Sequence, residues 1–398
     1  MSYYALLPCL FGIEAALKNE LLDLGYSKSD LSVDDGLVKV KLGSDWVSEL
    51  FKLNLELRTA ERVRLELFTA EVSDFDAYFE LVKSFNWQDW IRPGEAFTIN
   101  GSSRKSKLFG VPALQSLAKK AIVESLLKAW NLKGQLAEDK KIGEVRINFA
   151  FNQDQLSFSL DTSGEGLHKR GYRPLNHSAP LRETVAAAIL YYAHYKNVIR
   201  FNEKLYDPFC GSGTFLVEAA SILSNKAPGL DRSFAMERAN FAQPVKFARL
   251  RTQAKRLWQP ELIKPGLING SDLYASILQD AEQNLSRAGF KSMVDLRQRD
   301  FLQLTAKGLD SWPQGPGLLV ANPPYGERLG EVETALELTE KLLAVGLDSK
   351  LNEPWQLAFI QAAEGAEEIC KAADRKRKLY NGSIQVKLYQ YFKHSQKR

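Results

Sequence analysis

The stretch Asn322-Pro323-Pro324-Tyr325 follows the short apolar run 318–321 and precedes Gly326. An apolar run that meets two prolines predicts a buried strand that ends abruptly, because the first proline cannot donate to a sheet ladder and the second fixes the backbone direction. The tetrapeptide should therefore lie at the carboxyl end of a strand. In open α/β sheets, ligands bind at that edge.

The same tetrapeptide carries groups that suit a planar exocyclic amine, such as the amino group of guanine or adenine. The Asn322 side-chain carbonyl and the Pro323 main-chain carbonyl can each accept one amine hydrogen, which pushes the nitrogen towards tetrahedral geometry. The ring of Tyr325 can stack on the base. The alternative is a strand that ends in a proline turn with an N-capping asparagine, and four residues alone favour neither interpretation.

A second stretch, Asp207-Pro208-Phe209-Cys210-Gly211-Ser212-Gly213-Thr214, lies between a strand pattern and the helical pattern 216–223. Its glycines let the backbone approach a ligand closely, and Asp207 is placed to meet a positively polarised amino-acid end. A dinucleotide-binding fold requires a third glycine near Phe215 or Leu216, and none is present there.

The two stretches together resemble the class I S-adenosylmethionine-dependent methyltransferases that modify exocyclic amines. Three segments narrow the resemblance to the RlmL/YpsC-type ribosomal RNA guanine-N2 methyltransferases, which carry an N-terminal THUMP domain. These segments are 167–173 (Leu-His-Lys-Arg-Gly-Tyr-Arg), 179–183 (Ala-Pro-Leu-Arg-Glu) and 322–329 (Asn-Pro-Pro-Tyr-Gly-Glu-Arg-Leu). The resemblance spans nearly the whole chain. It implies an α/β fold, in which an α+β ferredoxin-like and THUMP region precedes a Rossmann-like seven-stranded sheet with a terminal antiparallel hairpin.

The resemblance also implies a role for each candidate residue. S-adenosyl-L-methionine would be the cofactor, and its methyl group would pass to the N2 amine of a guanine. The candidate catalytic residues are Asn322, Pro323, Pro324 and Tyr325. The residues expected to bind the cofactor are Asp207, Pro208, Gly211, Ser212, Gly213, Thr214, Asp272, Asp300, Phe301 and Asn322.

Two of these acids close later strand patterns. Asp272 ends the strand pattern 267–272, where a carboxylate suits ribose hydroxyls, although it can instead cap the helix that follows. Members of the resembled family often carry another acid two residues later, and Tyr274 stands there instead. By resemblance, Asp300 would bond the adenine amine, with Phe301 beside the ring.

The chain divides into four predicted parts. They are a ferredoxin-like unit (1–44), a THUMP RNA-binding domain (45–160), a Gly/Ser/Thr-rich linker (161–179) and a methyltransferase domain (180–398). Pro180 fits the first turn of a helix, after which strand and helix patterns alternate as in a parallel sheet. The pair Asn381-Gly382 predicts a closing hairpin, which NAD-binding folds lack. The insertion 225–260 has no assigned role, and shaping the RNA entrance is one option.

A basic segment in the predicted THUMP domain is the main candidate for RNA contact. Cations in a predicted loop, 102–107, precede the helical pattern 113–123, and they can grip successive phosphates. The alternative is a solvated loop and helix face. By resemblance to the RNA-binding end of THUMP domains, contacts here would read backbone shape. The candidate RNA-binding residues are Arg104, Lys105, Lys107, Lys119, Lys120, Lys169 and Arg170.

Composition agrees with this interpretation. The 398 residues include 53 basic and 48 acidic side chains, and the net charge of +5 is a mild excess that many proteins without nucleic-acid partners share. The three cysteines and four histidines form neither a disulfide framework nor a metal-ligand pattern. No apolar run approaches the ~20 residues of a membrane span, and no signal segment is evident. We expect a cytoplasmic protein that needs no metal and no membrane.

The expected partner is RNA, with 23S ribosomal RNA as the substrate, and three alternatives stay open. A tRNA guanine-N2 methyltransferase has nearly the same domain plan and motifs. A DNA adenine-N6 methyltransferase uses the same tetrapeptide. A non-catalytic RNA-binding assembly factor with a vestigial cofactor site is the third, and the intact residues Asp207, Gly211, Gly213 and 322–325 argue against such decay.

Overall fold

The computed structural model describes residues 2–174, 181–326, 331–348, 350–351 and 355–393. They form two seven-stranded sheets with helices packed on them. Three features of the sequence lie outside the described residues. They are the end of the predicted linker with Pro180, the start of the 179–183 segment and the last residues of the 322–329 segment.

The first sheet contains the strands of the N-terminal half. They are β1 (Tyr4–Pro8), β2 (Leu31–Asp34), β3 (Leu37–Lys41), β4 (Arg64–Glu71), β5 (Gly94–Arg104), β6 (Glu138–Asn152) and β7 (Gln155–Asp161). Their spatial order is β2-β3-β1-β4-β7-β6-β5. Because β1 pairs antiparallel with β4, with Ala5 opposite Leu65, the predicted ferredoxin-like and THUMP regions share one continuous sheet.

Four helices accompany this sheet. They are α1 (Glu14–Asp23), α2 (Trp46–Glu56), α3 (Phe75–Ser84) and α4 (Val111–Ala129). Under α3 and α4 the core is aromatic: Tyr78, Trp87 and Phe158 are fully buried, and the Trp87 and Phe158 rings meet edge to face with centroids 5.8 Å apart. Large rings of this kind bury enough apolar area to hold helices on a sheet.

The predicted basic loop 102–107 is wrong in its first half. Strand β5 continues to Arg104, and its last residues pair in parallel with β6, with Ser102 opposite Ala150 and Arg104 opposite Asn152. A polar strand at the edge of a sheet has no apolar alternation to reveal it. Only the residues after Arg104 form a loop.

The second sheet belongs to the C-terminal half. Its strands are β8 (Lys204–Asp207), β9 (Ile268–Asp272), β10 (Asp295–Gln298), β11 (Gly317–Ala321), β12 (Trp355–Gln361), β13 (Arg375–Asn381) and β14 (Ile384–Tyr391). The order is β10-β9-β8-β11-β12-β14-β13, with the first five strands parallel and β14 antiparallel to both neighbours. This confirms the predicted α/β sheet with its terminal antiparallel hairpin.

Among the described residues of the C-terminal half, eight helices accompany the second sheet. They are α5 (Glu183–Tyr192), α6 (Tyr195–Arg200), α7 (Thr214–Leu223), α8 (Pro244–Leu257), α9 (Ala275–Ala288), α10 (Ala306–Ser311), α11 (Glu331–Gly346) and α12 (Ala366–Ile369). Helix α7 follows the glycine turn after β8. It is buried along nearly its whole length because it is apolar on most sides.

The insertion 225–260 packs against the N-terminal half. Its helix α8 lies on α2, where the rings of Phe247 and Phe51 stack with centroids 4.4 Å apart. Gly229 donates its N–H to the Leu55 carbonyl at 2.9 Å. The insertion therefore joins the two halves of the chain.

Buried polar groups also cross between the halves. The Glu20 carboxylate accepts hydrogen bonds from the N–H groups of Arg58 and Thr59 at 2.7 and 3.1 Å, and burial raises the pKa of Glu20 despite these bonds. The Arg58 guanidinium then donates to the carbonyl of Lys226 in the C-terminal half at 2.6 Å. Breaking such a buried network leaves polar groups without partners, so the halves are held in one arrangement.

Gly12 marks a close approach between the halves. It lies in the loop between β1 and α1 with φ of +91°, and a Cβ placed there would lie 2.2 Å from the carbonyl oxygen of Lys378 in β13. The Tyr192 hydroxyl donates to the Gly12 carbonyl at 2.7 Å. Both the left-handed backbone and the contact exclude a side chain at this position.

We expect Gly12→Ala to lower the thermal midpoint of unfolding more than Gly25→Ala does. Gly25 has nearly the same φ, +94°, but has no atom within 4 Å of an added Cβ. Gly25→Ala therefore carries only the penalty of the left-handed backbone, about 1–2 kcal/mol. Each kcal/mol lowers the thermal midpoint by about 2–4 °C. Differential scanning calorimetry of both variants measures the difference. Equal shifts would contradict the tight contact with β13.

Candidate active site

A cavity of about 1110 Å³ opens at the carboxyl ends of the parallel strands of the second sheet. The structure brings the two sequence motifs together in it, because 207–212 line one side and 322–325 another. Of the predicted cofactor and catalytic residues, those that line the cavity are Asp207, Pro208, Gly211, Ser212, Thr214, Asp272, Asp300, Phe301, Asn322, Pro323, Pro324 and Tyr325. Gly213 does not line it, since it lies behind the turn at the start of α7.

The turn after β8 is fixed from several sides. Gly211 and Gly213 have φ values of +53° and +82°, a backbone that side chains rarely adopt. A Cβ on Gly213 would lie 3.4 Å from the Cβ of Ala281 in α9. The Asp272 carboxylate accepts the N–H of Gly211 at 3.0 Å. The turn therefore presents its backbone to the cavity in one conformation.

Asp207 is a buried acid in the cavity wall. It is 2% exposed and accepts the Phe209 N–H at 3.1 Å. Burial, with a further contribution from nearby Asp272, raises its pKa well above the usual range. A cation in the cavity would favour the ionised form of such a carboxyl, which suits the amino-acid end expected from the sequence.

Asp272 holds the loops and faces the cavity at the same time. One carboxylate oxygen accepts the Gly211 N–H, and the other accepts the N–H of Tyr274 at 3.2 Å. Tyr274 is the N-cap residue of α9, so Asp272 holds the residue before the helix and does not itself cap the helix. A carboxylate has about four acceptor sites, so capacity remains for ribose hydroxyls.

The far end of the cavity is apolar. The Phe301 side chain is buried, and its ring meets that of Phe209 edge to face with centroids 5.0 Å apart. Asp300 lines the cavity while it accepts the Leu302 N–H at 3.0 Å. Phe209 also lines the cavity, and sequence reasoning missed this role. Its position inside the glycine motif, between Pro208 and Cys210, could have indicated it.

The strand before the tetrapeptide ends as predicted. Strand β11 stops at Ala321, and the Tyr325 hydroxyl donates a hydrogen bond to Oδ1 of Asn322. Pro323 is buried, whereas Pro324 is exposed. These contacts fix the direction in which the Asn322 amide faces the cavity.

Gln361 supports the tetrapeptide from β12, and sequence reasoning missed it. It is 1% exposed, and its amide donates to the Pro324 carbonyl at 3.3 Å and to the Thr339 hydroxyl at 3.1 Å. Its own carbonyl accepts the Ala362 N–H at 2.8 Å. A buried side-chain amide that bonds in both directions restrains the loop. One glutamine at a strand end gives no signal in the sequence.

The N-terminal half supports the cavity wall through Glu61, which binds Arg182 of the C-terminal half. Arg182 lines the cavity and donates to the Glu61 carboxylate at 3.2 Å. The same carboxylate binds the His168 ring at 3.0 Å and accepts a hydrogen bond from the Thr184 hydroxyl. Burial alone would raise the pKa of Glu61, but these bonds lower it below its usual value. The carboxylate therefore stays ionised and holds the wall in place.

The residues of the cavity fit S-adenosylmethionine. A buried acid lies next to a glycine turn, a second acid ends the adjacent strand, and aromatic rings close the far end. The Ser212 hydroxyl oxygen is buried and has no hydrogen-bond partner among the described residues, so a bound ligand would satisfy it. Amino-acid, ribose and adenine groups each find a matching side chain.

The predicted RNA-binding residues differ in exposure and in the partners they already have. Arg104, Lys105, Lys107, Lys120 and Lys169 are exposed, and Lys119 is half-buried. Several already have partners. The Lys119 ammonium donates to the Phe97 carbonyl and to Glu138, both at 2.8 Å, whereas Lys169 pairs with Glu165 on the surface.

The structure contradicts the prediction that Arg170 contacts RNA, because this residue is buried and paired. Arg170 is 6% exposed, and its guanidinium donates to Glu218 at 3.1 Å, to the Leu167 carbonyl at 2.7 Å and to the Arg58 carbonyl. Withdrawing it would leave Glu218 buried and unpaired, which is strongly destabilising. No described residue of the insertion 225–260 lines the cavity, and its role at an RNA entrance stays a prediction.

Two further searches cover the described residues only. They contain no group of three or more His, Cys, Asp or Glu side chains able to hold a metal ion. None of their helices has the length and apolar character needed to cross a membrane. The cytoplasmic location stays a prediction.

Comparison with known domain families gives three matches. The RlmL ferredoxin-like domain matches residues 5–64, the THUMP domain 72–161 and the RMKL-like methyltransferase domain 170–390. These matches confirm the predicted order of domains. The predicted boundaries at 44, 160 and 179 stay predictions.

Individual proteins show the same similarity. YpsC of Bacillus subtilis (strain 168), named as a candidate RNA methyltransferase, is 35% identical over 96% of this chain and 94% of its own length. The ribosomal RNA large subunit methyltransferase K/L of Hahella chejuensis is 33% identical, and the chain spans about half (52%) of its length. A candidate methyltransferase crystallised with SAH is 30% identical, covers 98% of both chains and has a TM-score of 0.85.

We expect Asp207→Asn to raise the thermal midpoint of the ligand-free protein while it weakens S-adenosylmethionine binding. The folded-state pKa of Asp207 is raised, so the folded protein loses stability as pH rises from the unfolded pKa towards the folded one. The neutral asparagine avoids this loss, and its advantage should grow as pH rises above the unfolded pKa of about 3.9. Scanning calorimetry and isothermal titration calorimetry measure the two effects. A lower midpoint or unchanged affinity would contradict the assigned role.

Proposed function

This chain belongs to the RMKL-like methyltransferase family, and we propose that it transfers a methyl group from S-adenosylmethionine to the N2 amine of a guanine in 23S ribosomal RNA. The family assignment makes it an S-adenosylmethionine-dependent RNA methyltransferase. The guanine, its N2 atom and the 23S molecule are the finer part of the proposal. The K/L relatives, which are named for the large ribosomal subunit, support the choice of RNA, and the guanine N2 amine rests on the chemistry of the tetrapeptide.

One observation carries the proposal. Asp207 ends β8, Asn322 directly follows the neighbouring parallel strand β11, and both line the same cavity. A buried acid that suits a cationic donor and an amide that suits a planar amine therefore share one space. An active site for methyl transfer needs both features within reach of each other.

Different residues of the cavity would bind different parts of the cofactor. When bound, S-adenosylmethionine supplies an activated methyl group on a sulfonium. Asp207 would hold the amino group, and Asp272 would accept hydrogen bonds from the ribose. Asp300 and Phe301 would bind the adenine. Each role matches a side chain that already lines the cavity.

The tetrapeptide 322–325 would orient the target amine. The Asn322 and Pro323 carbonyls would each accept one amine hydrogen, and the ring of Tyr325 would stack on the base. The Tyr325 hydroxyl already bonds Oδ1 of Asn322, and a carbonyl oxygen with two lone pairs can accept one more hydrogen. Positioned dipoles supply most of the rate effect, and the amine proton can leave to water.

A methylation assay separates the candidate substrates. Purified protein with tritiated S-adenosylmethionine is offered 23S ribosomal RNA, tRNA and DNA in parallel, and labelled nucleosides are identified by mass spectrometry. Label in N2-methylguanosine from 23S ribosomal RNA supports the proposal. Label in tRNA or in N6-methyladenine of DNA would select one of the alternatives, and no label with intact cofactor binding would favour an assembly factor.

We expect Asn322→Ala to lower turnover by about 100- to 1,000-fold, because it removes an oriented acceptor at the reacting amine. Cofactor affinity should barely change. Single-turnover kinetics measure the rate, and isothermal titration calorimetry measures the affinity. Asn19→Ala, on the exposed side of α1, is the matched control and should leave both unchanged. Near-normal turnover of Asn322→Ala would show that the assigned role is wrong.

A further inference from the structure

An aromatic ring stands exposed on a rigid loop at the junction of the two halves. Phe11, between β1 and α1, is 51% exposed. The Glu14 carboxylate accepts the N–H groups of Gly12 and Gly36 at 2.8 and 2.9 Å, and Cys9 donates to the Gly36 carbonyl at 2.9 Å. The loop is thus held by several bonds while it presents an apolar ring to solvent.

This ring adjoins the mouth of the cavity. The Phe11 ring meets the Tyr380 ring edge to face, with centroids 6.3 Å apart. Tyr380 lies near the end of β13, and the hairpin residues 381–384 that follow it line the cavity. The two rings therefore form an aromatic surface that leads from the N-terminal half to the candidate active site.

Cations flank the aromatic surface on both sides. The exposed Lys378 has its ammonium 5.6 Å from the centre of the Tyr380 ring. On the other side, the Phe11 ring borders Gly36 in the turn between β2 and β3. In that turn Asp35 pairs with the exposed Arg104 at 3.4 Å. Asp35 in this turn and Glu14 beside the Phe11 loop are acids next to this surface.

We propose that Phe11 and Tyr380, flanked by Lys378 and Arg104, bind a single-stranded RNA segment next to the target nucleotide. Exposed rings stack on unpaired bases of any sequence, and nearby cations contact the phosphates. Duplex RNA keeps its bases stacked inside and does not need such rings. The inference rests on the proposed function, since the segment is the one that delivers the guanine.

Packing between the halves alone does not need an aromatic residue at position 11. Half of the ring surface lies in solvent, and an aliphatic side chain of similar size would cover Gly36 equally well. Phe11→Leu should therefore keep stability but weaken RNA binding. Phe11→Trp should keep both, because it restores a stacking face.

Fluorescence anisotropy with a labelled single-stranded RNA of about 12 nucleotides tests the proposal on the full chain. Phe11→Ala and Tyr380→Ala should each raise Kd about 5- to 150-fold, the loss expected for one base stacked on one ring. The matched control is Phe201→Ala. Phe201 is 67% exposed and precedes β8, at the sheet edge opposite the cavity. It should leave Kd unchanged.

The outcomes separate this surface from the proposed function. If Phe11→Ala binds the single-stranded RNA as tightly as Phe201→Ala does, or if Phe11→Trp is as weak as Phe11→Ala, the surface is overturned. The surface is also overturned if Phe11→Ala weakens the binding of a duplex of equal length as much as it weakens the binding of the single strand. These results would leave wild-type methylation of RNA intact. Wild-type protein that binds the single strand through Phe11 but methylates no RNA would overturn the proposed function alone.

Discussion

Parallel pairing of β8 with β11 is the constraint on which the candidate site depends. Leu205 lies opposite Leu318, and both strands run in the same direction. The turn after Asp207 and the tetrapeptide at Asn322 must therefore leave the sheet at the same edge, although 115 residues separate them in the sequence. Antiparallel pairing would place them at opposite ends. Buried apolar strands with helices on the sheet make the parallel arrangement stable.

The N-terminal half takes part in the site and is not a separate module on a tether. Glu61 holds Arg182 in the cavity wall, and Arg58 donates into the loop after α7. Gly12 lies against β13, whose hairpin lines the cavity mouth. An RNA bound by the N-terminal half would thus meet the cavity in a fixed geometry, which suits catalysis that relies on positioning.

Local signals predicted much of this structure, and contacts across the fold explain the rest. The double proline fixed the end of β11, and Asn381-Gly382 identified the hairpin. The role of Arg170 could not be predicted, because a basic motif in sequence does not reveal a buried Glu218 partner. Gln361 was missed because its role comes from contact with Pro324, 37 residues earlier in the sequence. Charged and polar residues take their roles from tertiary neighbours, which periodicity cannot show.

The contact between Gly12 and β13 also bears on self-association. Strand β13 is the last strand of its sheet, and an open edge strand is a template for pairing with another chain. Here the loop from the first half of the same molecule presses on the Lys378 carbonyl, and the basic side chains of β13 repel a second copy. The chain thereby covers part of this edge with its own backbone.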